Sequence, residues 1–263
     1  MRCIFIAALL GIALLVSGCS ELEPKTGTRV TISIETAKPI TRPQLAAVSR
    51  YLTLRGGLLL GLSGARISSV SDDSITLLLP GKNVPREDVN RLIEPYSIEL
   101  YHLTNVVTDN NPLRAWKMKP PSTPGGSYLF SGPDATLVDS RKEPAALLAE
   151  VVGVPQAKPV LTGRDIQPTS TFQRAQEGWS VVVQFTEPGA KTFHRFTKDN
   201  PGEYLAVFYN GRLISAPVIK DAIADGQAHI TGFGSEDQAR AAAQGINAGT
   251  LPVKVKIAGI EYY

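Results

Sequence analysis

Hydrophobic and polar positions alternate along the first part of the chain with the two periods that strands and helices require. The segment RVTISIE, residues 29–35, places every second residue on an apolar face, which predicts a half-buried strand. A helical pattern, two strands, a second helical pattern and the strand SIELYHL, residues 97–103, follow it. This order of strand, helix, strand, strand, helix and strand predicts a ferredoxin-like βαββαβ base over residues 29–107, within an α+β fold.

Capping signals mark the ends of two predicted helices. Thr41 and Gln44 have the spacing of a capping box before the first helix, and the glycine pair at 56–57 is expected to end it. Ser235 and Gln238 repeat the capping box before an alanine-rich helix near the end of the chain. A strand with outward-facing lysines is predicted after that helix.

The regular pattern is interrupted over residues 108–158. This segment is rich in proline, glycine, serine and asparagine, which indicates an insertion or a linker, and the pattern assigns no helix or strand to it. Alternation resumes in residues 159–263, where strands and amphipathic helices predict a second α+β unit.

Two turn signals stand out in this second unit. Asn210 and Gly211 separate two apolar strands, which predicts a hairpin with a type I′ turn and positive φ at both positions. Asp225 and Gly226 give a second turn before the next strand. Pro217 cannot donate a ladder hydrogen bond, so it is expected to end the regular pairing and leave the following backbone free to project.

The segment between these turns is the candidate partner contact of the chain. It carries apolar side chains in a connection where polar ones are usual. The candidate contact residues are Leu213, Ile214, Pro217, Val218, Ile219 and Ile223. Two interpretations stay open: the connection is a contact surface, or its side chains fold back and cap the core.

The first residues have the pattern of an export signal. Arg2 precedes an apolar stretch, residues 4–16, that is short for a membrane span. Small residues directly before Cys19 resemble the lipobox of bacterial lipoproteins, in which the cysteine receives acyl chains such as palmitate and the peptide before it is removed. A conventional signal peptide that ends at a cysteine is the alternative. We expect residues 1–18 to be the signal peptide and residues 19–28 a lipidated tether.

Cysteine content and hydropathy agree with that expectation. The cysteines are Cys3, inside the predicted signal, and Cys19, so no disulfide is expected in the mature chain. No other apolar segment reaches the length of a membrane span, so we expect a protein that is anchored to a membrane rather than one that crosses it.

Composition and motifs narrow the function class. The chain has 263 residues with 27 basic and 24 acidic side chains, and its net charge of +3 is too small to indicate nucleic-acid binding. It lacks the nucleophile, phosphate-loop and zinc-hydrolase motifs, and its histidines, His102, His194 and His229, fall in separate predicted elements. We therefore expect no catalytic residue, no metal and no cofactor, and interpret the chain as a binding protein rather than an enzyme.

The second unit resembles the large extracytoplasmic domain of SecD and SecDF, the accessory subunit of the bacterial protein-export translocase. The matching stretches are PVLTGRDI (159–166), EPGAKTFHRFT (187–197), YNGRLISAPVI (209–219), AHITG (228–232) and AGTLPVKVKI (248–257). The resemblance implies a base over residues 29–107 and an α+β head over residues 159–263, with residues 235–260 returning towards the base. It also implies capture of polypeptide that emerges outside the membrane.

The resemblance implies a function without a motor, because SecD continues into membrane helices beyond the point where this chain ends, at Tyr263. We expect a lipid-anchored domain that binds unfolded or emerging polypeptide, or components of the Sec translocase, on the periplasmic side of the bacterial envelope. The alternative is an envelope adaptor lipoprotein that uses the same fold for another partner. Ser20 after the cysteine favours the outer membrane over the inner one.

Overall fold

The structure, a computed structural model, describes residues 26–36, 39–107, 116–132, 134–135, 137–176 and 178–263. The strands are β1 (Gly27–Glu35), β2 (Arg66–Val70), β3 (Ser74–Pro80), β4 (Ile98–Leu103), β5 (Val106–Val107), β6 (Trp116–Lys119), β7 (Leu129–Ser131), β8 (Leu137–Asp139), β9 (Leu161–Thr162), β10 (Thr171–Ala175), β11 (Gly178–Gln184), β12 (Tyr204–Tyr209), β13 (Arg212–Ser215), β14 (Gln227–Phe233) and β15 (Lys254–Tyr262). The helices are α1 (Arg42–Leu60), α2 (Arg86–Arg91), α3 (Pro144–Val151), α4 (Glu187–Asp199) and α5 (Glu236–Ala248). Helices combine with several antiparallel sheets, which confirms the α+β class.

The base is an antiparallel sheet in the order β15-β1-β3-β2, packed against α1 and α2. Its core holds Val30 and Ile32 of β1, Leu52 of α1 and Val89 of α2, all with no exposed area. The strand order is that of a ferredoxin-like sheet, with one difference from the expected assembly: the fourth strand is the C-terminal β15. The structure thus brings the C-terminal segment back to β1.

The expectation that residues 97–103 close the base sheet was wrong. These residues form β4, which pairs with β12 and β9 in a different sheet. The physical reason is that β4 is apolar on both faces: Ile98 and Leu100 enter one core, and Tyr101 and Leu103 enter another. A strand of this kind needs cover on both sides. By contrast, β15 alternates half-buried apolar residues with exposed ones such as Lys254 and Lys256, which suits the edge of a one-sided sheet.

The head is built around a central sheet in the order β13-β12-β4-β9. One face of this sheet packs against α4, α5 and a second sheet, β10-β11-β14, with Phe185 and Phe193 in the core between them. The other face packs against α3 and a small sheet, β5-β6-β7-β8. Most of this second cover comes from residues 116–151, in the segment that the sequence pattern left without structure.

The helix α1 runs further than its glycines suggested. The Thr41–Gln44 capping box is present at its start, but the helix continues through Gly56 and Gly57 and ends at Gly61, which has φ 64°. Gly56 is buried at a close contact, since a Cβ there would lie 2.6 Å from the Cβ of Ala65. The prediction that the glycine pair ends the helix was therefore wrong, because these glycines allow close packing and a later one ends the helix.

Candidate functional site

The hairpin between β12 and β13 has the predicted turn. Asn210 has φ 49° and Gly211 has φ 76°, the positive values that a type I′ turn requires at both central positions. The ladder pairs Phe208 with Leu213 but Val207 with Ser215, so Ile214 is an extra, bulged residue. A bulge turns a side chain away from the regular alternation of its strand.

The bulge lies where β13 crosses β14, the edge strand of the neighbouring sheet. The hydroxyl oxygens of Ser215 and Thr231 are 3.1 Å apart at this crossing. Gly232 has φ 101°, and a Cβ at this position would lie 2.0 Å from the carbonyl oxygen of Ile214. Only glycine gives both the backbone angle and the space, so Gly232 allows the two sheet edges to touch at one point.

A cavity of about 790 Å³, which we call the wide cavity, opens on one side of this crossing. Its walls are the loop Pro120–Pro124, the end of β10 at Ala175, and Tyr128, Ile214 and Thr231. Among the residues that the structure describes, its lining contains no charged side chain. The hydroxyl oxygen of Tyr128 accepts a hydrogen bond from the backbone N–H of Ala216 at 3.1 Å, and burial raises the pKa of this phenol.

A second cavity of about 390 Å³, the narrow cavity, lies on the other side of the crossing. Ile214 and Gly232 line both cavities, and Gly125 and Gly126 line the narrow one. The lining of the narrow cavity also includes Arg91, Glu94, Tyr96, Tyr209, Asn210, Arg212, Leu213, Phe233, Gln238, Ala241 and Ala242. It therefore combines apolar and aromatic side chains with charges of both signs.

The aromatic walls of the narrow cavity are fixed by packing. The rings of Tyr209 and Phe233 meet edge to face with their centroids 6.2 Å apart. Burial raises the pKa of Tyr96 to about 12 and also raises the pKa of Tyr209, so both phenols are neutral at physiological pH. These rings give a rigid, uncharged surface between the base and the head.

The structure buries some of the predicted contact residues in the core and leaves others exposed or in a cavity wall. Leu213 and Ile219 are only 4% and 6% exposed and belong to the two cores of the head, and Leu213 also lines the narrow cavity. Ile223 is half-buried against the same core. For Ile219 and Ile223 the structure favours the alternative that they fold back and cap the core. Val218, which is 41% exposed, does not line either cavity, and Ile214 lines both.

The connection after Pro217 does not project freely. The backbone N–H of Ile219 donates to the carbonyl of Glu203 at 2.8 Å, and that of Ile223 donates to the hydroxyl of Thr197 at 2.9 Å. The exposed Pro217 is also held in place, because its carbonyl accepts a hydrogen bond from the N–H of Leu205 at 3.0 Å. The expected freedom of this backbone was therefore wrong, because backbone and hydroxyl groups outside the regular ladder replace the pairing that the proline ends.

The second predicted turn closes this connection against α4 and β11. Gly226 has φ 71°, and its carbonyl accepts from the backbone N–H of Phe185 and the side chain of Gln184. The side chain of Asp225 accepts from the N–H of Gln227 at 3.1 Å, as is common for an aspartate in a turn. Both residues hold the turn, and neither lines the wide or the narrow cavity.

Sequence reasoning missed the loop Pro120–Gly126, whose residues line both cavities. Its composition, PPSTPGG, does indicate a turn. It carries no periodic signal that would place Pro124 beside Gly178 and Gly234, and only the fold shows that proximity. Cys19, the predicted lipidation site, lies outside the described residues. Within the described part of the chain, the structure contains no helix that is long and apolar enough to cross a membrane.

Comparison with known proteins gives the same relatives in sequence and in structure. Residues 139–253 match the family described as SecDF, P1 head subdomain. The chain is 41% identical over 106 residues to the protein translocase subunit SecDF of Thermus thermophilus, covering 39% of this chain and 14% of that protein. It is 28% identical over 243 residues to the protein translocase subunit SecD of Syntrophobacter fumaroxidans, covering 90% of this chain and 43% of that protein. The chain thus spans less than half the length of these curated relatives.

Two solved structures share the fold. A crystal structure of SecDF in the super-membrane-facing form matches 90% of this chain and 30% of its own chain, with a TM-score of 0.63 and 23% identity. A SecDF chain from a study of a membrane component that enhances protein export matches 89% of this chain and 99% of its own, with a TM-score of 0.61 and 22% identity. The likeness therefore extends over the base and the head together.

Proposed function

Because residues 139–253 match the SecDF P1 head subdomain and the chain as a whole is similar to SecD, we propose that it binds extended polypeptide in the cleft formed by the wide and narrow cavities and so assists protein translocation. The observation that carries this proposal is the crossing of β13 and β14, two sheet edges that touch at Gly232 and leave a cavity on each side.

Edge strands and apolar walls are the features that extended polypeptide recognises. An unpaired strand edge offers backbone donors and acceptors to any sequence, and neighbouring pockets accept alternate side chains. The wide cavity adds uncharged walls, from the prolines of the loop Pro120–Pro124 to the ring of Tyr128. Such walls do not select for a charged ligand, so they suit unfolded segments of many sequences.

The place of the domain in the cell is part of the proposal. Lipid attachment at Cys19 would hold the domain at the envelope with the cleft on the periplasmic side, and the serine that follows favours the outer membrane. The relatives are described as protein translocase subunits. We therefore propose components of the Sec translocase as a second class of partner. Each buried methylene of an acyl chain contributes about 0.8 kcal/mol to membrane binding.

Photocrosslinking in cells tests the proposal. A photoreactive phenylalanine at Thr123, an exposed residue of the wide cavity, should capture exported polypeptides of many sizes. The matched control is the same group at Leu137, which is 70% exposed and lies on the small sheet away from the cleft. Equal capture at both positions would contradict a polypeptide site in the cleft, and capture of a single folded envelope protein at Thr123 would favour the adaptor function instead.

A further inference from the structure

We propose that the narrow cavity is a separate subsite that takes one large apolar or aromatic side chain of the bound polypeptide. This inference rests on the proposed function, and it assigns different tasks to the two cavities. The wide cavity is uncharged and bounded by a loop, whereas the narrow cavity is walled by fixed aromatic rings and framed by charges.

The walls of the narrow cavity match a planar apolar side chain. Tyr96, Tyr209 and Phe233 line it, and the edge-to-face contact of the last two keeps their rings in place. Aromatic rings prefer such offset or edge-to-face neighbours at centroid distances of roughly 4.5–7 Å. The small side chains of Ala241 and Ala242, on α5, leave the space that a guest ring would fill.

Charged groups from two parts of the chain also line the narrow cavity. Arg91 and Glu94 come from the end of α2 in the base, and Arg212 comes from the hairpin of the head. Arg91 is held by Asp88 at 3.6 Å. A charged guest would meet a like charge as well as an opposite one, so these groups favour neither sign, whereas the aromatic and alanine walls favour an apolar side chain.

Asn210 supplies a second observation that points to a bound backbone. Its Oδ1 is buried and, among the described residues, has no hydrogen-bond partner. A buried acceptor without a donor is costly, and a state that supplies a donor recovers that free energy. Asn210 lines the narrow cavity, so a rotation of its side chain into the cavity brings its amide to a guest. The backbone of an extended polypeptide offers N–H groups, and one of them can donate to this oxygen.

The test compares two labelled neutral peptides that differ only at the central residue, phenylalanine in one and alanine in the other, by fluorescence anisotropy with the purified soluble domain. The wild type should bind the phenylalanine peptide about tenfold more tightly, which corresponds to about 1.4 kcal/mol. The substitution Ala241→Phe, at a half-buried position of the cavity wall, should remove this preference, so that the two peptides bind with equal affinity.

Two further variants separate the parts of the inference. Asn210→Gly keeps a residue that tolerates positive φ and removes the amide, so it should weaken both peptides about threefold or more without lowering Tm. Thr123→Trp, in the wide cavity, should weaken both peptides equally and keep the phenylalanine preference.

The outcomes distinguish this inference from the proposed function. If Ala241→Phe retains the phenylalanine preference, the narrow cavity is not the subsite, although the domain still binds polypeptide. If Asn210→Gly binds as the wild type does, its amide does not contact the guest. If the wild type binds neither peptide, polypeptide binding itself is wrong.

Discussion

Arg55 joins the two points at which the chain passes between the base and the head. Its side chain has no exposed area, and one terminal nitrogen donates to the carbonyls of Leu92 and Glu94, each at 2.7 Å, where the chain leaves the base. The other terminal nitrogen donates to the carbonyl of Gly249, where the chain returns. The guanidinium carbon lies 4.9 Å from the centre of the Tyr96 ring, and burial lowers the pKa of Arg55 to about 10.

Replacing Arg55 with methionine should destabilise the domain by about 3–5 kcal/mol, because it leaves buried carbonyls without donors. Arg55→Lys should fall between methionine and the wild type, since one ammonium cannot reach all three carbonyls with the planar geometry of a guanidinium. Denaturant unfolding measures both effects.

The matched control for Arg55 is Arg50→Met on the same helix. Arg50 is exposed, so this change should alter stability by no more than about 0.5 kcal/mol. Equal effects at the two positions would mean that the buried hydrogen bonds of Arg55 do not hold the junction.

At the scale of single elements, α1 shows how glycines of one helix have different tasks. Gly56 faces Ala65 at a close contact, and Gly57 faces open space. Gly61 also faces open space, but its φ of 64° ends the helix in the left-handed conformation. All three positions are glycine in the sequence, and their different roles are visible only from the packing and the backbone angle in the structure.

Alanine should therefore stabilise the domain at one of these glycines and destabilise it at the other two, for two different reasons. Gly57→Ala should stabilise the domain by about 0.5–1 kcal/mol, because alanine favours the helix and meets nothing. Gly61→Ala should cost about 1–2 kcal/mol through its backbone angle alone. Gly56→Ala should cost about 1–3 kcal/mol through overpacking against Ala65. Thermal unfolding of the three variants side by side measures the order, and a uniform effect would contradict this account of the helix.

Local patterns predicted many elements and few of their partners. The alternation of β1, the Thr41 cap and the Asn210-Gly211 turn are decided by neighbouring residues, so they could be predicted from the sequence. The burial of Leu213 and Ile219 depends on sheets that arrive from other parts of the chain. The cleft depends on the loop Pro120–Gly126, which has no periodic signal. Its position is a property of tertiary packing alone.

At the scale of the whole molecule, the base is assembled from the two ends of the described chain. The strand β1 lies between β3, its near neighbour in sequence, and β15, which follows the entire head. Exposed ion pairs accompany this pairing, with Arg29 and Glu261 at 2.9 Å and Lys256 and Glu35 at 3.0 Å. Surface pairs of this kind contribute little, so the apolar face of β15 carries the attachment.

Removal of residues 254–263 should destabilise the base by roughly 3–6 kcal/mol, because the half-buried side chains of Val255, Ile257 and Ile260 no longer cover its core. Hydrogen exchange should then show early loss of protection in β1 while the amides of β12 remain protected. The control, Lys254→Ala, keeps the strand and should leave the exchange of β1 unchanged. Protection of β1 that survives the truncation would show that β15 is not needed to hold it.

The late position of β15 has a consequence for the order in which the molecule assembles. Hairpins such as β12–β13 join residues that are close in sequence and form early, whereas the pairing of β1 with β15 requires contact across the full head. The entropy of closing so large a loop grows slowly with its length, so the cost falls mainly on the rate. During that delay β1 keeps an unpaired edge that other chains can join. Synthesis from the N-terminus produces β1 first, yet its sheet is the last to be completed.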